Sequence, residues 1–178
     1  NLTDPLTYRF KIFRESQIAL SDSLPVLENM GVRVIDEQPY TLHFPDGSAG
    51  WITDIGLKLG QTGLLEDETQ RERFQQGFAH IFNGQAENDS FNRLILLAGL
   101  DWRAVSILRA YSRYQKQVGL NISQDSIADC LARLPDMARD LARLFLLRHD
   151  PQASQSSEAD ALEQTLASRI AATPSLDD

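Results

Sequence analysis

The sequence predicts an α+β fold: a partial ferredoxin-like βαββα unit followed by a mainly α-helical bundle. Three observations carry this. Residues 8–14 and 51–59 alternate apolar and polar side chains, as half-buried strands do. Asp46-Gly47 between two such stretches is a strong hairpin signal. From Phe91 to Pro151 the apolar period changes to that of a helix, in several short segments separated by caps and breakers.

The first strand, Tyr8 to Arg14, places Tyr8, Phe10 and Ile12 on one face. Ser21-Asp22 is the expected start of a helix with Leu24, Leu27 and Met30 inward, Pro25 in its first turn and Gly31 at its end. Val32 to Ile35 and Tyr40 to Phe44 read as a strand interrupted at Pro39, and Trp51 to Leu59 as its return, with Trp51, Thr53 and Ile55 sharing a face. The acidic run Glu66-Asp67-Glu68 suits the start of a helix carrying Phe74, Phe78, Ile81 and Phe82 on one side, before Gly84. A complete split βαβ sandwich needs one more strand, and the polar run Gln85 to Ser90 does not supply it.

Helices follow. Asp101 precedes an apolar row at Val105, Leu108, Tyr111 and Val118 that Gly119 can end, while Arg103, Arg109, Arg113 and Lys116 read as the solvated opposite face. Ser123 starts a helix with Ile127, Leu131 and Leu134 inward, and Pro135 opens one with Met137, Leu141, Leu144 and Phe145 inward, stopped by Asp150-Pro151. This bundle is expected on the uncovered face of the sheet, over Trp51 and Ile55. Gln152 to Ser157 reads as a flexible connection, and Leu162, Leu166 and Ile170 as the narrow stripe of a final helix ordered only by its contacts. The expected divisions are 1–84 for the α/β unit, 85–151 for the helical segment and 152–178 for the linker and last helix.

Composition narrows the function. The chain has 178 residues, and 17 basic against 25 acidic side chains give a net charge of −8, which opposes nucleic acid as a main partner. No apolar run approaches the ~20 residues a membrane span requires, and no secretory leader is visible, so a cytoplasmic protein with no membrane partner is expected. The chain starts at Asn1 rather than a methionine and ends in a polar run, so both ends read as cuts in a longer chain. Cys130 reads as an inert, buried hydrophobe.

Chemistry-bearing patterns are missing. His43, His80 and His149 have no metal-ligand spacing, and neither GxGxxG nor GxxxxGK[ST] occurs. Gly56, Gly60 and Gly63 form the nearest glycine cluster, but Glu66 to Glu68 after it would repel phosphate, so a plain loop is expected. Ser21, Ser23 and Ser123 stand at helix-cap positions and lack the setting of a serine nucleophile. No catalytic, cofactor-binding or metal-binding residue is assigned.

Two ordered phrases give the chain a resemblance. One comprises Leu94 to Leu100, Trp102-Arg103, Leu108-Arg109-Ala110-Tyr111, Tyr114, Gly119 and Ser123-Gln124. The other runs from Phe10 to Arg14, through Ala19 to Gly31, to Val32–Tyr40. Both resemble the long amino-terminal half of the large, NAD-specific bacterial glutamate dehydrogenases. The resemblance implies an ACT-like regulatory unit joined to helices, in a parent chain that oxidises L-glutamate to 2-oxoglutarate and ammonia with NAD. It implies other domains and subunits of the same enzyme as partners, in a homo-oligomer, with an amino-acid effector between the sheet and Phe74 to Phe82. NAD belongs to the parent enzyme, with no cofactor in this segment. The competing reading is a stand-alone protein-interaction module using the phenylalanine-rich or arginine-bearing helices.

Overall fold

A computed structural model describes residues 4–149 and 157–172. The linker expected at Gln152 to Ser157 lies outside the described residues up to position 156, as do the Asp150-Pro151 stop and both chain ends.

Strand β1 (Thr7–Arg14), helix α1 (Leu20–Asn29), strands β2 (Arg33–His43) and β3 (Ala49–Lys58) and helix α2 (Glu68–Phe82) follow in that order. The sheet is β1-β3-β2, antiparallel throughout, so β3 lies between the two strands that α1 connects. That is the split βαβ arrangement without its fourth strand, and the outer edge of β1 is open among the described residues. Gln85 to Asp89 lead instead into a 3-10 turn (Ser90–Arg93) and the short helix α3 (Leu94–Leu97). Then come α4 (Trp102–Gln117), α5 (Gln124–Arg133), α6 (Pro135–His149) and α7 (Ser157–Ala172).

The strand faces are as alternation requires. Ile55, Leu57 and Thr53 are buried against the helices, and Tyr8, Phe10 and Ile12 pack beside them. The hairpin closes at Gly47 with φ 85°, while Asp46 Oδ1 accepts from Ser48 N at 2.9 Å and from Ser48 Oγ at 2.6 Å. Strand β2 is continuous rather than interrupted at Pro39. Pro39 sits opposite Thr53, and because β2 is an edge strand its missing N–H is tolerated there. The irregularity falls four residues earlier, between Val34 and Asp36, where Ile35 is bulged out.

Helix α1 also departs from expectation. It begins at Leu20 with Ala19 as its cap, and no side chain caps it. Ser23 Oγ donates back to Leu20 O at 3.3 Å, and Ser21 Oγ points to Asp22. The earlier start moves Pro25 out of the first turn. Its ring is exposed, while Ser23, Val26, Leu27 and Met30 face inward. Asp101 accepts from Ala104 N and Ser123 from Ser126 N, as their cap positions require, and within the acidic run it is Asp67 that caps α2, accepting from Gln70 N.

The largest departure concerns the layers. The helical segment does not cover the open sheet face. It packs on the outer side of α1 and α2, through the 3-10 turn, α3 and α4, so the order is sheet, then α1 with α2, then the bundle. Leu94, Ile95 and Leu96 fill the seam and are almost wholly buried. Ile55 needs no cover from the bundle because it already faces α1 and α2. The other sheet face is left open, with Phe13 65% and Tyr40 48% exposed.

Candidate functional site

The polar centre of the molecule is where the α/β unit meets the helices. Arg109, on α4, is 3% exposed and not on a solvated face. Its Nε donates to Asp89 Oδ2 at 2.6 Å, and its Nη2 donates to Asp89 Oδ1 at 2.9 Å and Asn92 Oδ1 at 2.8 Å. The guanidinium also lies over the Phe91 ring, 5.8 Å from its centroid. Asp89 in turn accepts from Phe91 N and caps the 3-10 turn, and Asn92 Nδ2 donates to Glu87 O at 2.9 Å. A planar fork can meet all these acceptors at once, which an ammonium could not. Arg113 continues the row more exposed, paired with the Glu87 carboxylate, whose hydrogen bond and charge raise the Arg113 pKa. Tyr111 and Val118 are exposed instead of buried, because α4 turns Arg109 and Ser112 inward beside Val105 and Leu108.

The open sheet face divides into two zones along its register. At one end Arg9 lies across Gly56 from Asp36 and donates through Nε to Asp54 Oδ1 at 2.8 Å. The hydrogen bonds that Arg9 donates to Asp54 and then to Asp36 raise its pKa. At the other end Phe13, Ile52 and Tyr40 form one cross-strand row, with Leu42 and Phe44 beyond it, all three strands contributing to an exposed apolar ridge.

The proposed effector region between sheet and α2 is occupied by rings. Phe10 meets Phe74 and Phe78 edge-on at 5.5 and 5.0 Å between centroids. Room exists beside it, in an open groove of about 740 Å³ between the free edge of β1 and the Gln75, Phe78 and Phe82 side of α2. This is where a fourth strand would lie in a complete unit.

The remaining sequence candidates stay apart. His43 ends β2, His80 rests on the Trp102 ring and its Nδ1 meets Gln85 Oε1 at 2.6 Å, and His149 rests on Phe145 at the end of α6. Among the described residues no group of three or more His, Cys, Asp or Glu could hold a metal, and no helix is long and apolar enough to cross a membrane. Gly60 and Gly63 face open space, and Asp67 caps α2 next to them. Cys130 is half-buried rather than fully buried. Sequence reasoning missed the role of Arg109. The available signal was the pair Glu87 and Asp89 in the polar run that precedes the helices.

Residues 2–70 match the glutamate dehydrogenase ACT3 domain, and residues 86–151 match the glutamate dehydrogenase helical motif 3. An NAD-specific glutamate dehydrogenase of Halomonas elongata is 43% identical over 171 residues, 94% of this chain and 10% of that protein. The NAD-specific glutamate dehydrogenase of Pseudomonas aeruginosa is 45% identical over 134 residues, covering 75% of this chain and 8% of that protein. That of Mycobacterium tuberculosis is 35% identical over 167 residues, covering 89% of this chain and 10% of that protein. The chain therefore spans about a tenth of the length of these relatives. With an ACT-like sheet unit and a helical segment in the order and at the positions these matches give, the chain belongs to the glutamate dehydrogenase family, of which it carries the ACT3 domain and helical motif 3.

Proposed function

We propose that this chain is a non-catalytic regulatory or subunit-organising segment of an NAD-dependent glutamate dehydrogenase. The parent enzyme oxidatively deaminates L-glutamate to 2-oxoglutarate and ammonia in the cytoplasm, and NAD binds outside this segment. Residues 1–84 serve as the ACT-like part and 85–151 as its helical support. The observation that carries the reading is the pairing of a rigid seam with an unsatisfied surface. Leu94 to Leu96 pack the helical part against α1 and α2 and Arg109 ties α4 to the loop that leaves α2, whereas the Phe13–Tyr40 ridge is exposed. A ridge of that kind fits another domain or subunit of the same enzyme in a homo-oligomer. An amino-acid effector is assigned to the open groove between β1 and α2, where Arg14, over the Phe82 ring, lies within reach of a carboxylate.

The test uses the longest natural protein that contains this chain. Phe13→Glu with Tyr40→Glu is expected to lower its oligomeric state in sedimentation while leaving glutamate-dependent NAD reduction measurable. Calorimetric titration with glutamate, aspartate or leucine is expected to give saturable heat that Phe78→Trp, which narrows the groove, removes. Unchanged assembly together with silence towards every amino acid would contradict both roles.

A further inference from the structure

We infer that the helical segment holds a second ligand site, a cavity among α4, α5 and α6 that takes a small neutral amphipathic molecule. This rests on the geometry of those helices and not on the effector reading for the sheet unit. The cavity has a volume of about 400 Å³, within the range of small-molecule pockets. Its apolar walls are Leu108, Ile127, Leu131, Leu141, Leu144 and Phe145.

The packing explains why space is left there. Ala128 on α5 and Ala138 and Ala142 on α6 are almost fully buried, while the leucines around them are only half-buried. Side chains this small fill little volume, and space remains among the half-buried leucines.

A polar group marks the site. Ser112 lines the cavity, is 2% exposed, and its Oγ has no hydrogen-bond partner among the described residues. Other helical hydroxyls find partners, Ser106 on Trp102 O at 2.9 Å, Thr165 and Ser168 likewise on the carbonyl four residues back, and Ser23 on Leu20 O. Ser112 does not. A second orphan, Gln124 Nε2, lies on the helix face that continues into Ile127 and Leu131. Buried polar atoms are almost always bonded, so an unpartnered hydroxyl in an apolar cavity calls for a ligand atom.

The charge at the mouth fixes the class. Arg148 is already bonded to Asp160 at 2.7 Å and Glu163 at 2.6 Å. Arg148 is thus already neutralised by carboxylates, and Tyr111, Gln115, His149 and Glu163 complete the polar part of the lining beside the apolar walls. The ligand is therefore an aromatic or branched-aliphatic body with one neutral hydrogen-bonding group, such as a hydroxyl or amide, that meets Ser112.

The test is calorimetry and thermal unfolding of the longest natural protein containing this chain, with benzyl alcohol, 3-methyl-1-butanol and toluene as probes. Both alcohols are expected to bind saturably at one site per chain. Ser112→Ala should weaken their binding about fivefold, the loss of one hydrogen bond, and leave toluene nearly unchanged. Leu144→Trp, which fills the space, should abolish all three; Leu131→Phe is the milder filling variant if that chain folds poorly. Absence of saturable binding, or binding indifferent to both Ser112→Ala and the filling variants, overturns the inference. So does a finding that the filling variants change only the oligomeric state, since the occupant would then be a protein side chain.

Discussion

Arg109 on α4 grips Asp89 at the start of the 3-10 turn with two hydrogen bonds, at 2.6 and 2.9 Å, and thereby ties the helical bundle to the loop that leaves α2. The arginine is almost wholly buried, whereas Asp89 keeps 29% of its side chain exposed. Arg109→Met should leave the Asp89, Asn92 and Glu87 acceptors without this donor and cost roughly 2–4 kcal/mol in urea unfolding. Arg109→Lys should recover only part of that, because one ammonium cannot span the same acceptors. Arg113→Ala, at an exposed pair, should change stability by under about 1 kcal/mol.

The seam between α2 and α3 is tight at one glycine. A Cβ on Gly77 would lie 2.7 Å from Ile95 Cδ1 and 3.5 Å from Met30 Cε. Gly77→Ala gains up to about 1 kcal/mol of helix propensity but overpacks the core by about 1–3 kcal/mol. A net loss is expected on chemical denaturation. In an Ile95→Val background the clash is relieved and the same substitution should become neutral or stabilising, a coupling that a double-mutant cycle reads directly.

Acid should loosen the β2–β3 hairpin before the core. Hydrogen bonds from the Ser48 side chain, and then from its backbone N–H, hold the Asp46 carboxyl below its usual value of 3.8. A depressed carboxylate stabilises the folded form above its unfolded pKa, and that contribution is lost as pH falls through the lower folded value. Asp46→Asn should therefore increase amide exchange at Phe44 and Ser48 at neutral pH. Below both pKa values wild type and variant should converge; a difference that persists in acid would refute the assignment.

Helix α7 and the Arg109 seam should respond differently to salt. Arg143–Glu158 and Arg148 with Asp160 and Glu163 join α6 to α7 through exposed pairs. Raising salt from about 0.1 M to about 1 M shortens the screening length from ~10 Å to ~3 Å. Amide protection in α7 should fall, while α4 and the 3-10 turn keep theirs because Arg109 is shielded from solvent. Equal loss in both regions would show that the two contacts are alike.

Much of this architecture is legible from local pattern, and the misreadings share a cause. Strand alternation, the Asp46-Gly47 turn and the Asp67, Asp101 and Ser123 caps depend on neighbours in sequence, and each forms as its residues dictate. Arg109 looked solvated because a guanidinium on a helix usually is, and its burial depends on Asp89 twenty residues earlier. Pro39 looked like a break because a proline removes a ladder bond, but the edge position of β2 makes that bond unnecessary. The side on which the bundle docks depends on Leu94 to Leu96 meeting α1 and α2, a long-range match that periodicity does not encode. The cavity escapes the sequence for the same reason, since Ile127, Leu131 and Leu144 read as ordinary core, whereas in the fold they are only half-buried around an open space.

The most direct test of the central claim is glutamate-dependent NAD reduction, measured on this chain alone and on the longest natural protein that contains it. A non-catalytic segment of a glutamate dehydrogenase predicts activity in the long protein and none in the chain. Activity in the chain itself, or a folded long protein with no activity, would contradict the account.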